Sequence, residues 1–187
     1  MSVGSTPKSG NPSRPISLGK RALILGTAAV AACGAGAWGG YWWLTRGAVK
    51  GEEAKLLTAS FEALDGTTTP ISTWQGKTLI VNFWATWCGP CREEMPEFVK
   101  AQGEFAAKGL QFVGIAIDRR APVERFAREL AINYPILLGD AAWLEAVKTM
   151  GNPQGVLPFT LVISPRNEVM LRRVGKLKFS EVAAIFA

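Results

Sequence analysis

The chain has 187 residues, 48% of them hydrophobic, which is enough for one domain with a real core plus a separate apolar segment. Its net charge of +6 owes most to Lys8, Arg14, Lys20 and Arg21, so the remainder is nearly neutral and lacks the clustered basic surface that nucleic acid demands. Histidine is absent, which excludes cysteine–histidine nucleophilic catalysis, histidine-ligated metals and haem attachment through Cys-x-x-Cys-His, where Arg92 fills the last position.

Residues 1 to 21 are rich in Ser, Pro and Gly without apolar periodicity, and predict a disordered cytoplasmic tail. Residues 22 to 44 carry no charge and are long enough to cross a bilayer as one helix, with Trp38, Tyr41, Trp42 and Trp43 gathered at the far end, where amphipathic rings favour the headgroups. The four positive charges ahead of this segment and the mixed Arg46, Lys50, Glu52 and Glu53 after it predict a single-pass anchor with the amino terminus in the cytoplasm and the domain outside. Two rivals remain open. A basic start and an apolar run also describe a cleaved signal peptide, and Val30-Ala31-Ala32-Cys33 resembles a lipobox, which would make the chain a lipoprotein at Cys33. The apolar run continues past Cys33 to Leu44, which favours the anchor.

Residues 45 to 55 read as a polar linker, and residues 56 to 187 as the folded domain. Ser60 to Leu64 predicts an edge strand, Asp65-Gly66 a turn, and Ser72 to Trp74 a short helical turn. Thr78 to Trp84, Thr-Leu-Ile-Val-Asn-Phe-Trp, is the β-branched and aromatic run of a fully buried central strand. Cys88 follows it, Pro90 suits the first turn of a helix, and Met95, Phe98, Val99, Gln102 and Phe105 continue at helical spacing.

A thiolate at such a strand-to-helix turn is stabilised by unpaired N–H groups and the helix dipole, so Cys88 should be acidic and act as nucleophile. Cys91 lies one turn further on the same side, close enough to bond to Cys88 and placed to resolve the mixed disulfide. A structural bridge or half of a zinc site are the alternatives; the first would constrain little chain, and the second lacks further ligands.

Gly109 ends the helix, and Leu110 to Ile117 reads as a second buried strand. Pro122 opens a helix with Val123, Phe126, Ala127, Leu130 and Ala131 at helical spacing; Ala141 to Met150 is another. Phe159 to Ile163 and Val169 to Val174 form a closing hairpin around Pro165-Arg166-Asn167, and a terminal helix runs to Phe186. The late cluster Arg172, Arg173, Lys176 and Lys178 reads as a solvated edge.

Phe83 to Cys91 resembles the active-site signature of the thioredoxin superfamily, and the pattern Cys-x-x-Cys-x-x-Glu-x-Pro from Cys88 to Pro96 resembles its membrane-anchored branch, the TlpA/ResA/DsbE-like thiol–disulfide oxidoreductases. The resemblance implies an α/β thioredoxin-like fold, a central mixed sheet flanked by helices, here behind an amino-terminal transmembrane helix. It implies a cis proline at Pro158 facing the cysteines, with the Leu157 backbone pairing with an extended client segment and Trp87, Gly89 and Pro90 lining the contact. It also places Glu94 beneath the cysteine pair as the proton-transfer group, Asn82 standing where soluble thioredoxins carry a buried aspartate.

The function expected is reduction of protein disulfides on the periplasmic side of a bacterial inner membrane through the Cys88/Cys91 dithiol, with no cofactor and no resident metal. The resemblance implies an inner-membrane thiol transporter as electron donor, and apocytochrome c or a copper-site protein of a terminal oxidase as client. Oxidation in the opposite direction and Cu(I) delivery by two thiolates are the alternatives; Gly89-Pro90 resembles the reducing thioredoxins, and no methionine set surrounds the motif.

Overall fold

The computed structural model describes residues 51–186, in which seven strands form one mixed sheet in the order β2-β1-β5-β4-β3-β6-β7. In chain order the elements are α1 (Glu52–Thr58), β1 (Ser60–Ala63), β2 (Thr68–Pro70), a 3-10 turn (Ile71–Trp74), β3 (Thr78–Trp84) and α2 (Gly89–Phe105). Then come β4 (Leu110–Ala116), α3 (Arg120–Glu129), β5 (Ile136–Leu138), α4 (Ala142–Thr149), β6 (Phe159–Ile163), β7 (Val169–Val174) and α5 (Phe179–Ala183). The predicted tail of residues 1 to 21, the anchor of 22 to 44 and the alternative at Cys33 lie outside the described residues. Among the described residues no helix is long and apolar enough to cross a membrane.

Every residue of β3 and β4 is buried, as their apolar runs require of central strands covered on both faces. They pair in parallel, with Asn82 beside Gly114, and β3 pairs antiparallel with β6, with Asn82 beside Thr160. The alternation of β3 divides the core. Ile80 and Trp84 face a cluster containing Phe98 of α2, Phe126 of α3 and Val182 near the chain end, while Leu79, Val81 and Phe83 face Leu56 and Leu57 of α1 and Val147 of α4.

Three expectations change. The predicted linker of residues 45 to 55 gives up its last four residues to α1, which is held because Leu56 and Leu57 are buried and the Glu53 carboxylate meets Arg172 of β7 at 2.8 Å. The first strand is not an edge: β2 lies outside it, and β1 also pairs with β5 on its inner side. The terminal helix is shorter than its apolar spacing suggests and stops at Ala183.

Candidate active site

The elements that carry the cysteines and the buried Pro158 meet at one end of the sheet. Phe83 and Phe159 are cross-strand partners, so the segment leaving β3 toward Cys88 runs beside the segment entering β6 from Pro158. The Leu157–Pro158 peptide is cis. Trp87 and Val156, the residues before Cys88 and before Leu157, are two of the few large apolar side chains left exposed, at 67% and 42%.

Cys88 caps α2 with extended backbone, and its sulfur accepts the Cys91 backbone N–H at 3.3 Å. Gly89 and Pro90 form the exposed first turn, so the proline costs no hydrogen bond. Cys88 and Cys91 are joined in a disulfide with Cα atoms 5.3 Å apart. Cys91 is fully buried and Cys88 retains 6% exposure, less than a freely accessible nucleophile would have, so Cys88 is the more open of the two. Once the pair is reduced, the same N–H and the helix start stabilise negative charge on the Cys88 sulfur.

Glu94 belongs to the buried stripe of α2 that includes Cys91, Met95, Phe98, Ala101, Gln102 and Phe105, and it is the charged member of that stripe. Its Oε1 accepts from Asn82 Nδ2 at 2.9 Å and its Oε2 from the Leu177 backbone N–H at 2.9 Å. Burial pushes its pKa up to about 7 against the pull of those two hydrogen bonds and of nearby Lys176. A carboxyl poised near neutrality one helical turn from Cys91 can exchange protons with it. Asn82 also donates to Thr160 Oγ1 at 3.0 Å, tying the strand on each side of the site to the carboxyl.

Two supports were not anticipated from the sequence. Asp118, just after β4, accepts from the Thr86 backbone N–H at 3.1 Å and from the Thr86 hydroxyl, pinning the loop two residues before Cys88. Burial alone would raise the Asp118 carboxyl, but the Thr86 and Arg119 hydrogen bonds hold it below the usual range. Asn152, buried to 1%, donates from Nδ2 to the Val156 carbonyl at 2.7 Å and accepts the Val156 N–H at 3.3 Å, while its own carbonyl accepts from Gly155. It shapes the turn that delivers Leu157 and Pro158. An Asp following a buried strand and an Asn within a Gly/Pro turn are visible in the sequence, but their partners are set by tertiary contact. Among the described residues no cluster of three or more candidate ligands could hold a metal.

The family model described as Redoxin matches residues 50–185. Thiol-disulfide oxidoreductase ResA of Oceanobacillus iheyensis is 30% identical over 58% of this chain and 55% of its own length. ResA of Halalkalibacterium halodurans is 29% identical over 67% and 68%. The chain thus spans only about half to two thirds of these relatives. A thioredoxin family thiol:disulfide interchange protein from Chlorobium tepidum shares 31% identity at a TM-score of 0.60, over 68% of this chain and 89% of that one. A secreted Mycobacterium tuberculosis disulfide oxidoreductase shows the same fold at 20% identity and a TM-score of 0.56, over 70% and 98%.

Proposed function

The chain belongs to the Redoxin family, in the TlpA/ResA/DsbE-like group of the thioredoxin superfamily, and on that premise we propose that it reduces protein disulfides outside the cytoplasmic membrane. The observation that carries this reading is the Cys88–Cys91 bond at the start of α2, one cysteine slightly open and the other closed off, with Glu94 buried in the same stripe of the helix.

In the reduced protein the Cys88 thiolate attacks one sulfur of a client disulfide. That bond breaks, a mixed disulfide forms, and the first client thiolate leaves and takes a proton from water. Glu94 accepts the proton of the Cys91 thiol. The Cys91 sulfur then attacks Cys88, the second client thiolate leaves, and the Cys88–Cys91 disulfide remains. Two electrons have passed to the client, and a thiol donor must return them. Trp87, Gly89, Pro90 and the Leu157–Pro158 segment supply the contact face, with the Leu157 backbone pairing to an extended client strand. ResA relatives and the superfamily resemblance support apocytochrome c or a copper-site protein as client and an inner-membrane thiol transporter as donor. The uncharged stretch from 22 to 44 and its flanking charges support a single-pass anchor with the domain in the periplasm, or a lipid at Cys33 as the other means of attachment.

Reduction of insulin by the reduced full chain, followed by turbidity, tests the activity. Loss of turnover in Cys88→Ser is the expected result; undiminished turnover in that variant would remove the mechanism.

A further inference from the structure

Three buried polar side-chain atoms near Glu94 have no hydrogen-bond partner among the described residues: Asn82 Oδ1, Trp84 Nε1 and the Tyr134 hydroxyl. They belong to the same face of the sheet. Asn82 and Trp84 are alternate residues of β3, and Gly114 of β4 is the cross-strand partner of Asn82. Trp84 Nε1 hangs over Gly114, only 3.0 Å from where a side-chain Cβ would stand. Tyr134 packs its ring against Phe112, two residues before Gly114, at 5.6 Å, and burial first, then the Glu94 carboxylate, disfavours a Tyr134 phenolate. Three orphaned groups on one face of the sheet would be costly, whereas native buried polar atoms are almost always satisfied, often by an internal water.

Their chemistry fits a single water. Indole Nε1–H can only donate, a phenol donates or accepts, and an amide oxygen can only accept. We propose that a buried water bridges Trp84, Tyr134 and Asn82, accepting from the indole and donating to Asn82 Oδ1, and that this bridge makes Trp84 and Tyr134 positioning residues for Glu94. The consequence lies in the Asn82 amide. With Oδ1 committed to the water, Nδ2 must face Thr160 and Glu94, as it does at 3.0 and 2.9 Å. Glu94 therefore always meets a donor, which favours its carboxylate over its acid form. Without the bridge the amide is free to turn its oxygen toward Glu94, which favours the acid. The other charged or titratable groups around Glu94 are Glu97 of its own helix, Lys176 on the segment after β7, Tyr134, and Cys91 one turn before it in the stripe; Glu93 engages Lys176 rather than Glu94. These are unchanged by the amide's orientation.

The proposal rests on Glu94 serving the Cys88/Cys91 pair, but its test does not use turnover, so failure of one leaves the other standing. The oxidised full chain in detergent micelles, labelled with 13C at glutamate carboxyls, is titrated by NMR, and the Glu94 signal is identified by its loss in Glu94→Gln. Trp84→Phe and Tyr134→Phe are then compared with the parent. Trp84→Phe should raise the proton affinity of Glu94 about tenfold, and Tyr134→Phe should raise it by less. Because Trp84 is fully buried, its replacement can compromise the fold; Tyr134→Phe keeps the shape of its site and removes one oxygen. Titration of Glu94 unchanged in a folded Tyr134→Phe protein overturns the proposal. So does a high-resolution crystal structure with no water within hydrogen-bond distance of Asn82 Oδ1, and a water there in contact with Trp84 Nε1 supports it.

Discussion

Glu94 concentrates the conflict between burial and function in one side chain. Its pKa stands at about 7 against an unperturbed 4.5, so between those values the folded protein holds a proton that the unfolded chain has lost. The sign follows: stability contributed by the protonated form is present below about 4.5 and is lost as pH rises toward 7. Relative to Glu94→Gln, which carries no charge at any pH, the oxidised parent should lose about 3 kcal/mol of stability across that interval. Urea unfolding of both proteins between pH 4 and about 8 measures it, and parallel curves would return Glu94 to an ordinary ionised carboxylate. In the reduced protein the same substitution should alter the pH dependence of Cys88 alkylation and slow exchange about tenfold or more, within the range for a general acid–base group. Superimposable alkylation profiles would remove Glu94 from the chemistry. The resemblance of Cys88 to Pro96 to the anchored branch, together with the one-turn spacing from Cys91, made its position legible; its two hydrogen-bond donors, one of them 83 residues away on Leu177, were not.

At the scale of elements, the segment before Pro158 depends on Asn152. Asn152→Ala removes two hydrogen bonds to the Val156 backbone, which should cost about 1–3 kcal/mol. Reduction of a protein client should fall more than reduction of a small disulfide, which does not need the Leu157 segment; comparing insulin with hydroxyethyl disulfide checks this, and equal losses would argue against client pairing there. Long apolar runs were readable because burial on both faces leaves no other composition for them: β3 and β6 have the bounds that their sequences suggest. Short elements were not. β2 and β5 have three residues each, and Thr68-Thr69-Pro70 and Ile136-Leu137-Leu138 become strands only because β1 and β4 offer them partners. α1 was hidden by Glu52, Glu53 and Lys55, charges that resemble a linker until Arg172 of β7 supplies the counter-ion for Glu53.

For the whole molecule, the thioredoxin-like sheet and the placement of both cysteines at the end of its central strand follow from one nine-residue signature and the strand before it, Phe83 to Cys91 and Thr78 to Trp84. The proposed membrane placement rests on the charge asymmetry around residues 22 to 44. In spheroplasts first treated with reductant, an impermeant thiol reagent should label Cys88 before lysis; labelling that appears only after lysis would place the domain in the cytoplasm. The division of labour between the two sulfurs is tested most directly by Cys91→Ser. Mixed with an oxidised client protein, that variant should accumulate as a covalent complex through Cys88, visible on a non-reducing gel, dissolved by dithiothreitol and identified by mass spectrometry of the linked peptides. Linkage found at Cys88 is the expected result, and absence of any mixed disulfide while Cys91→Ser keeps full reductase turnover would contradict the mechanism.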